Sequence, residues 1–102
     1  MANTFTNSLV KDVGATPIAS YVAPASTTSI MIGVNLSNTT ASQIKVDVQL
    51  NNIYLIKGVP IPANSALSPL DGKIVMKAGQ VLNVTSDTAS SSDVVVSILE
   101  IT

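Results

Sequence analysis

In SQIKVDVQL, residues 42–50, every second position is apolar: Ile44, Val46, Val48 and Leu50 alternate with Gln43, Lys45, Asp47 and Gln49. Successive side chains on a pleated backbone point to opposite sides, so a period of two marks a strand with one buried and one wetted face. The same period in SIMIGVNLSN sets Ile30, Ile32, Val34 and Leu36 inside against Ser29, Gly33, Asn35 and Ser37, with Met31 as the single exception. The turn formers of NTTAS lie between these two segments and predict antiparallel neighbours joined by a short loop.

Asn51-Asn52 is a tight-turn signal, because asparagine tolerates positive φ. IYLIKG returns from it with both parities apolar, Ile53 and Leu55 on one side and Tyr54 and Ile56 on the other. The following VPIPANSALSPLDGK carries Pro60, Pro62 and Pro69, which lack ladder donors, and reads as a sheet edge or crossover ending in the turn Asp71-Gly72. KIVMK then points Ile74 and Met76 inward against Lys73, Val75 and Lys77, and QVLNVTS buries Leu82 and Val84 after a turn at KAGQ. The last segment, SDVVVSILEIT, is again apolar on both parities, Val94, Val96 and Ile98 against Val95, Leu99 and Ile101. SLVKDV and IASYVAPAS supply shorter candidate strands, and no helical period extends over ten residues or more. About seven to nine short strands with frequent turns predict an all-β protein, an antiparallel β-sandwich of immunoglobulin-like or jelly-roll type.

The 102 residues suit a single sandwich domain over 1–102, with the polar segment 1–12, anchored by Phe5 and Leu9, forming either a strand or an N-terminal arm. The formal net charge is −1, and the basic residues are five scattered lysines interleaved with aspartates, which favours neither nucleic acid nor an anionic membrane as partner. No basic-plus-apolar leader and no run long enough to span a membrane is present, so the expectation is a protein made in a cytoplasm. The Asn-x-Ser/Thr triplets at Asn35, Asn38 and Asn83 then carry no glycosylation meaning.

Histidine and cysteine are both absent, which removes the usual general base, the usual nucleophile partners, and the nitrogen and sulfur ligands of zinc, copper and iron. The expectation is a protein that is not an enzyme, with no cofactor and no metal. The carboxylates Asp47, Asp71, Asp87, Asp93 and Glu100 stand singly among turn or polar residues, although SDTASSSD does gather Asp87 and Asp93 with hydroxyls, a weak pointer to a hard cation. The glycines are dispersed rather than grouped into a phosphate loop. Phe5, Tyr21 and Tyr54 are the entire aromatic complement, so a sugar-binding platform would depend on Tyr54. What remains is binding through shape. The residues apolar on the second face of their strands, Tyr54, Ile56, Val95, Leu99 and Ile101, form the candidate assembly surface.

Taken end to end, MANTF, IGVNLSNTT, YLIKGVPIPANSAL, DGKIVMKAGQVLNV and the closing SSSDVVVSILEIT resemble small virion structural proteins of tailed bacteriophages, marine and cyanobacterial phages in particular. The resemblance implies a β-sandwich accessory subunit on the virion, with no catalytic residues. Capsid decoration or cement is the leading expectation, with a neck, tail or fibre component, or a carbohydrate-binding or adhesion module, as alternatives. The partners so implied are further copies of the chain, as a homo-oligomer with a trimer favoured, and the major capsid protein or other virion proteins.

Overall fold

The computed structural model describes residues 3–70 and 72–102. Met1, Ala2 and Asp71, and with them the Asp71-Gly72 turn signal and the first residues of the candidate arm, lie outside the described residues. Nine strands follow one another: β1 (Asn3–Val13), β2 (Ile18–Val22), β3 (Thr28–Asn38), β4 (Ile44–Leu50), β5 (Ile53–Ile61), β6 (Ala66–Leu67), β7 (Ile74–Met76), β8 (Val81–Ser86) and β9 (Ser92–Ile101). Among the described residues there is no helix.

The strands form two antiparallel sheets. One has the order β1-β9-β3-β6, with β7 also paired to β3, and the other the order β2-β8-β4-β5. The pairs are nested: β1 lies beside β9, β2 beside β8, β3 beside β6 and β7, and β4 beside β5. A long hairpin rolled up in this way is a jelly roll, so the all-β sandwich takes the second of the two expected types. The same topology corrects one expectation. β3 and β4 are not neighbours in a sheet; the NTTAS loop carries the chain from one sheet to the other, and their apolar sides meet across the core. Alternation tells a strand which side is buried, not which sheet it joins.

Among the described residues only the turn between β4 and β5 is a two-residue hairpin. Leu50 opposes Ile53 across Asn51 and Asn52, whose φ angles of 51° and 72° are the left-handed pair that such a turn needs. The proline-bearing stretch is both edge and crossover, as its missing donors require. Pro60 opposes Lys45 on the edge strand β5, and the chain then changes sheets to reach β6.

Among the described residues five register shifts interrupt the ladders, and those on β3 and β5 break the simple parity of the sequence. On β3, the register against β9 shifts between Met31 and Gly33. Before the shift odd positions face inward, so Ser29 and Met31 are fully buried; after it even positions do, and Val34, Leu36 and Asn38 are buried. Met31 is therefore core, and Ile32, expected inside, is 40% exposed. On β5 the register shifts twice against β4, first near Lys57-Gly58 and again at Leu55. Gly58 takes φ +61° there and donates its N–H to Asp47 Oδ1 at 2.6 Å, which fixes the first bulge. The second puts Ile56 opposite the core residue Val48 and Tyr54 opposite the outward-facing Gln49, so two side chains of like parity in sequence part company.

The core lies between the sheets and is built from Val13, Met31, Val34, Leu36, Ile44, Val46, Val48, Ile61, Met76, Leu82, Val84, Val94, Val96 and Ile98 with Ala23. Its ends are closed by polar groups that carry their own partners. Asn38, 3% exposed, donates through Nδ2 to the carbonyls of Ser42, Ile61 and Pro62, and accepts at Oδ1 from the N–H and hydroxyl of Thr40. It thereby pins the β3–β4 crossover to the end of β5. At the same end of β1, the carbonyls of Val13 and Gly14 accept from Ser91 and Ser86, and a Cβ on Gly14 would come within 3.2 Å of the Ala89 backbone. Tyr21 reaches from β2 to the opposite sheet. Its hydroxyl donates to Glu100 Oε2 at 2.6 Å, which leaves Ser29 to donate to the phenol oxygen at 2.7 Å. Ser8 on β1 donates to the carbonyl of Ser20 on β2.

Two stability predictions follow from these ties. Asn38→Ala strands several buried groups and is expected to lower unfolding free energy by about 2–3 kcal/mol in urea, whereas exposed Asn35→Ala stays within about 0.5 kcal/mol. Burial, followed by the hydrogen bond to Glu100 and that carboxylate's charge, raises the Tyr21 pKa above its ordinary value. Its contribution is present below the ordinary phenol pKa of about 10 and is lost as pH rises through the higher folded value. Tyr21→Phe should cost about 1 kcal/mol at neutral pH and lose less stability than wild type on going from there to strongly alkaline pH, read from parallel urea titrations.

Candidate functional site

The outer face of the β1-β9-β3 sheet is made of the positions that alternate with the core. Reading across the strands, Phe5 opposes Leu99, Leu99 opposes Ile30, and Ile30 opposes Val75. Parallel rows run Leu9, Val95, Asn35 and Asn3, Ile101, Thr28, with Asn7, Ser97, Gly33 between. Directly opposed side chains lie about 5 Å apart, so each row is in continuous contact, and the polar Asn7–Ser97–Gly33 row separates the Leu9–Val95 pair from the longer apolar row Phe5–Leu99–Ile30–Val75. Phe5 is 76% exposed, Leu9 68%, Val75 56%, and Val95 and Ile32 about two-fifths each. These four rows contain no charged side chain; Lys11 and Asp93 stand beyond one end, and Lys73 and Lys77 flank Val75 on β7. A recess of about 310 Å³ opens on this face between Ile32, Asn35, Val95 and the connection through Ser68 and Leu70. The Ile32 bulge forms one wall, and the bare Gly33 above which no atom lies within 4 Å leaves the floor open.

The other outer face is of opposite character. β4 presents Lys45, Asp47 and Gln49 there, and β8 presents Asn83 and Thr85. The middle of this face matches an ordinary solvated sheet, with Val22, 50% exposed, opposite Val81 at its β2 edge.

Of the five residues expected to form the assembly surface, Val95, Leu99 and Ile101 stand together on the apolar face. Tyr54 and Ile56 belong to the other sheet: Ile56 packs against the core, and Tyr54, 46% exposed, lies at the β5 edge. Lys57 Nζ sits 5.0 Å from the Tyr54 ring centroid, so a cation already occupies a ring face that a sugar would need. Phe5, Leu9, Ile30, Ile32 and Val75 complete the patch. Phe5 and Leu9 carry a readable signal, the apolar i, i+4 spacing on a strand otherwise polar on that side; Ile30 and Ile32 carry none without knowledge of the bulge.

Three aspartates serve the backbone and Glu100 serves a side chain. Asp47 holds the Gly58 bulge, Asp87 accepts from the Lys45 N–H at 3.1 Å, Asp93 accepts from the Asp12 N–H at 3.0 Å, and Glu100 receives the Tyr21 hydroxyl. Asp87 and Asp93, close in sequence, are thus engaged on different strands. Among the described residues no three His, Cys, Asp or Glu side chains come together in a way that would hold a metal ion, and no helix is long and apolar enough to cross a membrane.

No protein-family model matches the chain, and no curated protein is significantly similar to it.

The contrast between the faces of β9 is directly testable. Val95→Lys should change unfolding free energy by no more than about 0.5 kcal/mol, whereas Ile98→Ala should cost about 3 kcal/mol through the cavity it leaves. The native protein should also bind an apolar fluorescent dye, and Val95→Lys combined with Val75→Lys should remove most of that signal.

Proposed function

We propose that the protein is a non-enzymatic structural subunit of a bacteriophage virion, a decoration or cement protein that stabilises the capsid by laying its apolar sheet face on neighbouring shell proteins. The observation that carries this reading is the uncharged outer face of the β1-β9-β3 sheet, with Val95, Leu99, Ile101 and Ile30 at its centre. Exposed apolar side chains grouped on one sheet face signal a partner, and Asp47, Asp87 and Asp93 accept hydrogen bonds from N–H groups of neighbouring strands. The jelly-roll topology is compatible with this role, although the same fold also serves lectins and enzymes and the reading does not rest on it. The mechanism is mechanical. Burial of the face contributes roughly 25 cal/mol per Å², from which the cost of association is subtracted.

The test is to add the purified protein to phage capsids lacking accessory subunits and to measure bound copies and the temperature at which the shells open. Wild type should bind and raise that temperature. Val75→Lys with Val95→Lys, which bury two charges in the interface, should bind about a hundredfold more weakly, a loss of roughly 3 kcal/mol. Binding confined to necks or tails under immunogold labelling would move the protein to that part of the virion, and no binding to any particle would overturn the reading.

A further inference from the structure

The four edges of the two sheets are not equally protected. β5 carries Pro60 and two bulges, β2 is five residues long with a register break at Ser20, and the edge opposite β1 is split between the two residues of β6 and the three of β7. Proline, bulges and shortness are the devices by which sheets avoid joining other sheets. β1 has none of them over Asn3–Val10. It pairs with β9 in unbroken register from Asn3↔Ile101 to Val10↔Val94, and the first irregularity comes only between Val10 and Val13. Among the described residues no strand pairs with its other side.

From this open edge we infer that β1 is a self-association strand, which pairs antiparallel with β1 of a second copy across a two-fold axis at Asn7. The occupant and the register follow from the side chains. Phe5 and Leu9 are the most exposed apolar residues of the strand, at 76% and 68%, and both stand on the outer face, with Asn7 between them. With the axis at Asn7, Phe5 of each copy opposes Leu9 of the other, twice over, and Thr6 opposes Ser8. Moving the axis by one residue to Thr6 sets Phe5 against Asn7 and Leu9 against Asn3; moving it to Ser8 sets Phe5 against Lys11. Only the Asn7 register covers both apolar side chains with apolar partners, and aromatic–aliphatic cross-strand pairs are the favourable ones. The segment from Asn3 to Val10 has no charge, so two copies meet without like-charge repulsion. Such a contact is isologous and closes at two copies, in place of the trimer expected from sequence. It extends the apolar face across both molecules, and it stands whether or not the partner of that face is a capsid.

Because the chain has no cysteine, the register can be read by single introduced thiols. Asn7, Asn3 and Lys11 are all exposed, and circular dichroism of each variant verifies the fold. Under mild oxidation of the purified protein, Asn7→Cys should form a disulfide-linked dimer, since its two copies face each other at the axis within disulfide reach. Asn3→Cys and Lys11→Cys should not, because their like copies lie some eight residues, about 27 Å, apart along the ladder. Adding Leu9→Lys to Asn7→Cys should slow cross-linking at least tenfold. Equal cross-linking at all three positions, none at Asn7, or indifference to Leu9→Lys would overturn the inference. None of these outcomes depends on capsids, so failure here and failure of the virion reading are separate results.

Discussion

Strand β9 sets the terms for the rest of the molecule. It is paired along nearly its whole length on both edges, with β1 on one side and β3 on the other, and its Val94, Val96 and Ile98 fill the middle of the core. A strand so placed has one face covered by the opposite sheet. Its other face meets no part of the described chain's second layer, yet three of its outward positions, Val95, Leu99 and Ile101, are apolar, with Ser97 between them. The flanking strands continue this character through Phe5, Leu9, Ile30 and Val75, so the exposed patch is a property of a whole sheet rather than of scattered residues.

Polar groups, by contrast, are spent on closing the sandwich. Asn38 gathers three carbonyls at one crossover, Tyr21 ties Glu100 and Ser29 across the layers, and the Ser86–Ser91 hydroxyl pair organises the loop before β9. Serine, threonine and asparagine side chains satisfy backbone groups at the loops, and Asp47, Asp87 and Asp93 accept backbone N–H groups at a bulge and at strand ends.

Much of this was legible in the sequence because period two is a strong signal. Ile44, Val46 and Val48, Leu82 and Val84, Met76, and the Val94, Val96 and Ile98 side of β9 are buried where alternation put them. The Asn51-Asn52 hairpin was legible for a different reason, since two consecutive asparagines suit two consecutive positive φ angles. What alternation does not encode is a bulge. One extra residue at Ile32 reversed the sides of Ile30, Met31 and Ile32, and another at Leu55 separated Tyr54 from Ile56, so the assembly surface read from parity mixed two sheets. Sheet membership was equally hidden, because a short polar loop such as NTTAS serves a hairpin and a crossover alike until the Asn38 contacts are known.

In the proposed arrangement the sandwich is incomplete as a single copy, with an open β1 edge bordering the exposed apolar side chains of its sheet. Light-scattering molar mass behind a sizing column, followed from dilute to concentrated protein, tests it most directly. An edge contact of this size lies at the weak end of stable interfaces, so the account predicts a mass that rises with concentration from one chain to two and stops there. A single-chain mass at every concentration, or growth past two without a plateau, would contradict it.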